Sequence, residues 1–264
     1  MIGIFDSGDG GLPTLKAVRE LLPQYSYIYI GDHARAPYGD RSQKEIFEFT
    51  WQGMEFLFKQ GCLLVILACN TASVNALRHI QQEILPSTYP DRRVLGILVP
   101  TVEQIADTVS NNTVLVLGTM STINSHAYVT EVQKRNPNRH VIQQACPELV
   151  SLIETRASHT RIGEALDVYL QPYRKTLVAG DVVVLGCTHY ELIKDLIAEH
   201  LPDGVILYGQ SEILAQSLKS YLERHPDMET RLKRDGSVQY LTSGESSRVS
   251  ARAPFVHVDL LASH

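Results

Sequence analysis

Two cysteines stand in similar loops of this 264-residue chain. Cys69 lies in ILACNTAS, after an apolar run and before a turn of small polar residues; Cys187 lies in VVLGCTHYELI. A cysteine so placed is a packed core thiol, a metal ligand, a nucleophile or an acid–base group, and taken alone the packed thiol is the commonest of these. Zinc usually wants three or four ligands with closely spaced pairs, and no CxxC pair occurs here. Nucleophilic catalysis needs only one nucleophile and one base. Two matching thiols on opposite sides of a cleft suit another task. One removes a proton from a carbon, and the other returns a proton to the opposite face.

His189 follows Cys187 by two positions. It reads as a capping or packing histidine, or as a group that polarises the thiol or receives its proton. Asp6 likewise reads as a helix N-cap or as a proton acceptor. Cys62 and Cys146 lie outside such loops and read as structural. The glycines of DSGDGG invite a dinucleotide-binding reading, but the third glycine of GxGxxG would fall on Pro13. A strand-to-helix turn is the simpler account.

The elements that must position these residues alternate in type. Aliphatic runs at 1–5, 27–30, 63–67, 94–99, 114–117, 182–185 and 205–207 read as buried parallel strands. Helical patterns lie between them. One follows the S-x-x-E capping box of Ser42 and Glu45 and stops at Gly61. Another runs over 74–85 and ends at Pro86, and a third runs over 192–201 and ends at Pro202. The fold class is therefore α/β, with mostly parallel sheets flanked by helices. The segment around Cys69 echoes that around Cys187, and IGIFDSG echoes VLVLGTMST, as two similar α/β halves would. In such sheets ligands bind beyond the carboxyl ends of the strands. Four polar loops stand there: Asp6-Ser7-Gly8, Pro37-Tyr38-Gly39, Cys69-Asn70-Thr71 and Cys187-Thr188-His189. Helix N-termini after them would hold a carboxylate and favour thiolate.

Composition bounds the rest. Hydrophobic residues make up 44% and charged residues 20% of the chain, ordinary values for a globular protein. A net charge of −5 with no basic stripe argues against nucleic-acid binding. No signal peptide and no apolar segment of spanning length is present, so membrane association is not expected. Widely spread cysteines point to free thiols in a reducing, cytoplasmic setting.

Together the motifs resemble the cofactor-independent glutamate racemases of bacterial peptidoglycan synthesis. The matching segments are FDSGDGGL, GDHARAPYGDRS, ACNTAS, ACPELVSLIE and GCTHYELI, in the family's order over most of residues 1–195. Aspartate racemases share such cysteine motifs, but the FDSG opening, the PYG segment and CTH rather than CTE favour glutamate. The resemblance implies two similar α/β domains, 1–95 plus 208–264 and 96–207, with the active site between them. The last ~50 residues would return to the first domain. It implies Cys69 and Cys187 as acid–base thiols, with Asp6, His189 and Glu154 as auxiliary proton-handling residues. It places Asp6, Ser7, Tyr38, Gly39, Asn70, Thr71, Thr188 and His189 around L- or D-glutamate. No cofactor and no metal is expected, and a homodimer is. The alternatives are racemisation of aspartate or another acidic amino acid, and an amino-acid-binding protein of the same fold that has lost turnover. Three segments depart from the family pattern. Asp9 stands where an apolar residue is common, and Leu98-Val99-Pro100-Thr101 and Gly209-Gln210-Ser211 bear on the hinge and domain contacts. With its first strand at residue 1, the chain is expected to lack the N-terminal extension on which some members carry an activator response.

Overall fold

Aliphatic runs that are apolar on both faces need helices on both sides, and the chain supplies them. The computed structural model describes residues 1–107, 113–245 and 253–260. Its strands are β1 (Ile2–Asp6), β2 (Tyr27–Gly31), β3 (Leu64–Leu67), β4 (Arg93–Gly96), β5 (Val114–Gly118), β6 (Val141–Ala145), β7 (Val182–Gly186), β8 (Ile206–Tyr208), β9 (Val238–Thr242) and β10 (Val256–His257). They form two sheets, ordered β10-β9-β2-β1-β3-β4 and β6-β5-β7-β8. Every pairing is parallel.

The order β2-β1-β3-β4 in the first sheet is repeated as β6-β5-β7-β8 in the second. The echo between the two cysteine segments therefore has a topological counterpart: β3 corresponds to β7, and β1 to β5. In each sheet the chain reverses its winding between those two central strands. That reversal opens a crevice at their carboxyl ends.

Side chains alternate across each sheet into two apolar layers. On the first sheet, Phe5, Val65 and Leu67 pack with Ile46, Met54 and Leu57 of the helix Gln43–Lys59. On its other face Ile2, Ile4 and Ile66 pack with Leu15 and Val18 of helix Leu12–Leu21 and with Leu214 and Leu218 of helix Ser211–Arg224. The second sheet is covered in the same way. Leu115, Leu117, Val183 and Leu185 face the helices Leu149–Glu154 and His159–Leu170. Val114, Val116 and Val184 face Val102 and Ile105 of helix Leu98–Asp107 and Tyr128 of helix Ala127–Arg135. Each such aliphatic side chain contributes about 1.5–3 kcal/mol on full burial, so these layers hold the strand ends in fixed positions.

The local signals operate as expected at the second helix. Ser42 and Glu45 form a reciprocal capping box, and Gly61 takes the left-handed conformation (φ 88°) that ends the helix. Elsewhere the elements differ from the sequence reading. The run 94–99 is a strand only to Gly96; Val99 belongs to helix Leu98–Asp107. The helix expected over 74–85 begins at Asn70, and Pro86 does not end it. A π-helical turn, Ile80–Ile84, intervenes, and helix resumes over Leu85–Thr88 with Pro86 in its first turn, where no amide hydrogen is required. Residues 192–201 split into a 3-10 turn, Thr188–Ile193, and the short helix Lys194–Glu199. Among the described residues no helix is long and apolar enough to cross a membrane.

Candidate active site

Cys69 follows the end of β3 by two residues and Cys187 follows β7 directly, so each leaves its sheet at the crevice. Both are buried, at 5% and 6% exposure. They line one small chamber of about 40 Å³ together with Ser7, Tyr38, Gly39, Asn70, Thr71, Thr188 and His189. Nine of the residues singled out in the sequence thus converge there. Asp6 and Glu154 do not line it. Asp6 lies behind the wall, where its carboxylate accepts from the Gly8 amide (3.0 Å) and the Thr188 hydroxyl (3.1 Å). It caps this turn rather than helix Leu12–Leu21, whose N-cap is Gly11. Glu154 lies on an outer vestibule of about 580 Å³. Ser7, Pro37, Val150, Ser151 and His189 border both spaces. The chamber has room for a few waters at most, so an amino acid enters only if the walls part.

The glycines of DSGDGG now have a physical role. A Cβ on Gly10 would lie 2.5 Å from Thr188 Oγ1 and 2.6 Å from His189 Nδ1. Gly10 is bare so that the loop after β7 can close against the loop after β1.

Cys69 caps the helix Asn70–His79, and its Sγ accepts from the Ala72 amide at 3.4 Å and approaches Ser7 Oγ at 3.6 Å. The sequence reading expected such a helix N-terminus to favour thiolate. The structure reverses that expectation for this residue. Burial, with the Asp6 charge added, outweighs the amide and pushes the Cys69 thiol up to about 12. Cys187 has a different neighbour: its Sγ lies 3.9 Å from His189 Nδ1. His189 Nε2 in turn bonds the Glu154 carboxylate. Burial alone would lower His189; the Cys187 sulfur and Glu154 outweigh it and hold the imidazole well above the ordinary histidine range. Burial also raises Glu154, but the bond from His189 prevails and its carboxyl stays below the usual range. Asp6 is raised by burial.

Other side chains are less free than the sequence suggests. The Tyr38 phenol donates to Asp32. The Asn70 amide, read as a carboxylate clamp, donates to Gln210 Oε1 at 2.6 Å and accepts from the Tyr128 hydroxyl at 2.7 Å. Thr71 Oγ1 lies 2.9 Å from Thr119 Oγ1, which links the loop after β3 to the loop after β5. Thr119 also lines the chamber and was not among the expected residues. Its signal was the echo of IGIFDSG in VLVLGTMST, which puts Thr119 where Ser7 stands in the first half. Asp9 is fully buried and pairs with His33 Nε2 at 2.9 Å. All four cysteines are free, and burial pushes Cys62 and Cys146 up to about 12. Among the described residues no group of three or more His, Cys, Asp or Glu side chains is placed to hold a metal ion.

Residues 14–217 match the family described as Asp/Glu/Hydantoin racemase. The chain belongs to that family. Within it, the chain is 39% identical over 263 residues to a glutamate racemase of Roseobacter denitrificans, covering 96% of this chain and 94% of that protein. Among solved structures, a glutamate racemase of Francisella tularensis in complex with D-glutamate superposes with a TM-score of 0.86 at 31% identity, over 99% of this chain and 98% of that one. A glutamate racemase isoform of Bacillus anthracis gives 0.84 at 29% identity, over 94% and 90% of the two chains. The more distant aspartate racemase of Picrophilus torridus, at 17% identity and a TM-score of 0.55, shares the fold. The α/β reading with parallel sheets and the family resemblance are both borne out.

Proposed function

We propose that this racemase interconverts L- and D-glutamate by proton transfer between Cys69, Cys187 and the substrate α-carbon. The observation that carries the reading is the chamber itself. Two buried cysteines line one small space from corresponding corners of two sheets of repeated topology. The similarity to glutamate racemases supports glutamate as the substrate.

In one direction the Cys187 sulfur takes the α-proton, with the His189 imidazolium and Glu154 beside it. The Cys69 thiol, kept protonated by burial, gives its proton to the opposite face. One C–H bond breaks, another forms, and the protonation states of the two thiols are exchanged. The reverse reaction uses the exchanged states. The substrate ammonium, entering beside Cys69, brings the positive charge that favours an anionic sulfur there. The α-proton is very weakly acidic, so negative charge building on the carboxylate must be stabilised. The free amides of Asn70 and Thr71 at the start of a ten-residue helix, and the Thr188 hydroxyl, are the groups for that role. Closure of the walls excludes water and aligns the thiols.

The domains are 1–95 plus 208–264 and 96–207, with the catalytic chamber between them. The protein acts in the cytoplasm as a homodimer, needs no cofactor, and supplies D-glutamate for peptidoglycan synthesis. The deciding test is proton NMR of L- and D-glutamate, and of both aspartates, in deuterated water with no added cofactor. The α-proton signal of both glutamate enantiomers should vanish as deuterium enters. Exchange of aspartate in preference would move the assignment to that acid. Ligand-induced stabilisation without exchange would leave a binding protein.

A further inference from the structure

A closed ring of hydrogen bonds lies beside the Cys69 corner. Asn70 Nδ2 donates to Gln210 Oε1 at 2.6 Å, Gln210 Nε2 donates to the Tyr128 hydroxyl at 2.6 Å, and that hydroxyl donates to Asn70 Oδ1 at 2.7 Å. Gln210 Nε2 also donates to Thr101 Oγ1 at 2.7 Å, and Thr101 donates onward to the Ile97 carbonyl at 2.8 Å. None of the four residues is more than 2% exposed. Every donor points the same way round the ring, so each bond polarises the next. Neither amide can flip without setting donor against donor or acceptor against acceptor.

The members come from four separate segments. Asn70 follows Cys69 and opens the helix after β3. Thr101 sits on the helix Leu98–Asp107, where the chain passes from the first sheet to the second. Gln210 sits at the start of helix Ser211–Arg224, where it passes back. Tyr128 packs under the second sheet. The two segments that the sequence reading tied to the hinge and domain contacts, 98–101 and 209–211, therefore meet: Thr101 and Gln210 are partners. The Gln210 backbone amide is held as well, by Glu191 in the 3-10 turn that follows Cys187; the Ser211 amide reaches the same oxygen at 2.8 Å. Gln210 does not line the chamber, yet it is bonded to the residue after Cys69 and to the turn after Cys187.

We propose that Gln210 is a positioning residue for racemisation. It fixes the Asn70 amide, leaving one Nδ2 hydrogen for the substrate, and ties both chain crossovers to the two thiol-bearing loops so that the sulfurs close in register. The proposal rests on the racemase reading given above.

The test compares wild-type protein with Tyr128→Phe, which removes one hydroxyl and keeps the ring packed, with Gln210→Leu, and with the double variant. Initial racemisation rates are measured with α-protonated and α-deuterated glutamate, and folding is followed by thermal unfolding. Each folded single variant should lose about 10–100-fold in kcat. The deuterium isotope effect on kcat should rise, because misaligned thiols make proton transfer fully rate-limiting; a purely structural defect that only reduces the folded fraction would leave it unchanged. The double variant should be no worse than the poorer single one. Folded Tyr128→Phe protein with wild-type kcat and isotope effect overturns the proposal. So does simple additivity of the two losses. Wild-type protein inert toward both enantiomers removes the racemase reading, and the positioning role with it, whereas wild-type turnover matched by the variants overturns the positioning role alone.

Discussion

Cys69 and Cys187 leave equivalent strands of two sheets with the same strand order, yet their surroundings are opposite in sign. Cys69 has a hydroxyl, one helix amide and the buried Asp6 carboxylate near it, and its thiol is pushed up to about 12. Cys187 has an imidazole, which its own sulfur and Glu154 hold well above the ordinary histidine range. Repeated topology thus fixes where the two sulfurs stand, while the side chains of the neighbouring loops make their surroundings unlike. L- and D-glutamate have the same free energy in water, so kcat/KM must be equal in the two directions however unlike the thiols are. The asymmetry of the corners can appear only in kcat, KM and isotope effects taken separately.

The largest test of that contrast is removal of either sulfur. Cys69→Ser and Cys187→Ser should each lower kcat/KM about 10³-fold or more from both enantiomers. Elimination from a glutamate analogue carrying a β-leaving group needs only the base, so it should survive in one variant for each enantiomer. If both variants kept the same enantiomer, the opposed-face assignment would fail. Next comes the Cys187 corner. His189→Asn should cost about 100-fold in kcat/KM. The Glu154→Gln variant should move the alkaline limb of the kcat profile to lower pH, because its carboxylate helps keep the proton on His189. The same logic applies to stability. A histidine raised on folding stabilises fully below about pH 6.5 and loses that contribution as pH rises through its elevated folded value. Wild-type protein should therefore lose stability on the alkaline side, and Glu154→Gln less so; identical unfolding curves across pH would contradict the pairing.

The Cys69 corner should respond in the other sense. Asp6→Asn removes a buried charge that burial itself disfavours. Stability should rise by about 1 kcal/mol, seen as about 2–4 °C in Tm for a chain of this size, while turnover falls. The Cys69 thiol should titrate below its present value of about 12 when followed by ultraviolet thiolate absorbance. An unchanged titration would show that burial alone sets it. The smallest effect belongs to Ser7→Ala. It removes a single contact of 3.6 Å to Cys69 Sγ, worth about 1 kcal/mol or less and so less than tenfold in rate.

What could be read from the sequence followed physical visibility. The strands β1, β2, β3, β5 and β7 are buried on both faces and appear as aliphatic runs. The half-exposed VIQQA of β6, the edge-side VQYLT of β9 and the two-residue β10 carry no such run and were not anticipated. Loop residues such as Ser7, Thr71 and Thr188 could be placed at the crevice from their strand-end positions. Their partners could not, because Asp9 with His33, or Asn70 with Gln210, are brought together only by the crossing of the chain. The protonation of Cys69 was also illegible. A helix N-terminus is visible in a sequence, whereas the depth of burial that overrides it is not.

The interleaving of the first sheet has a consequence for synthesis on the ribosome. Strands β5 to β8 follow one another without interruption, so the second sheet can be completed while the remainder of the chain is still being made. The first sheet must wait: β2 pairs with β9, whose residues Val238–Thr242 emerge only after the whole second sheet. Until then β2 is an open parallel edge, a template for pairing with other chains. A product truncated before residue 238 would carry both cysteines and a finished second sheet, and would still be prone to aggregate.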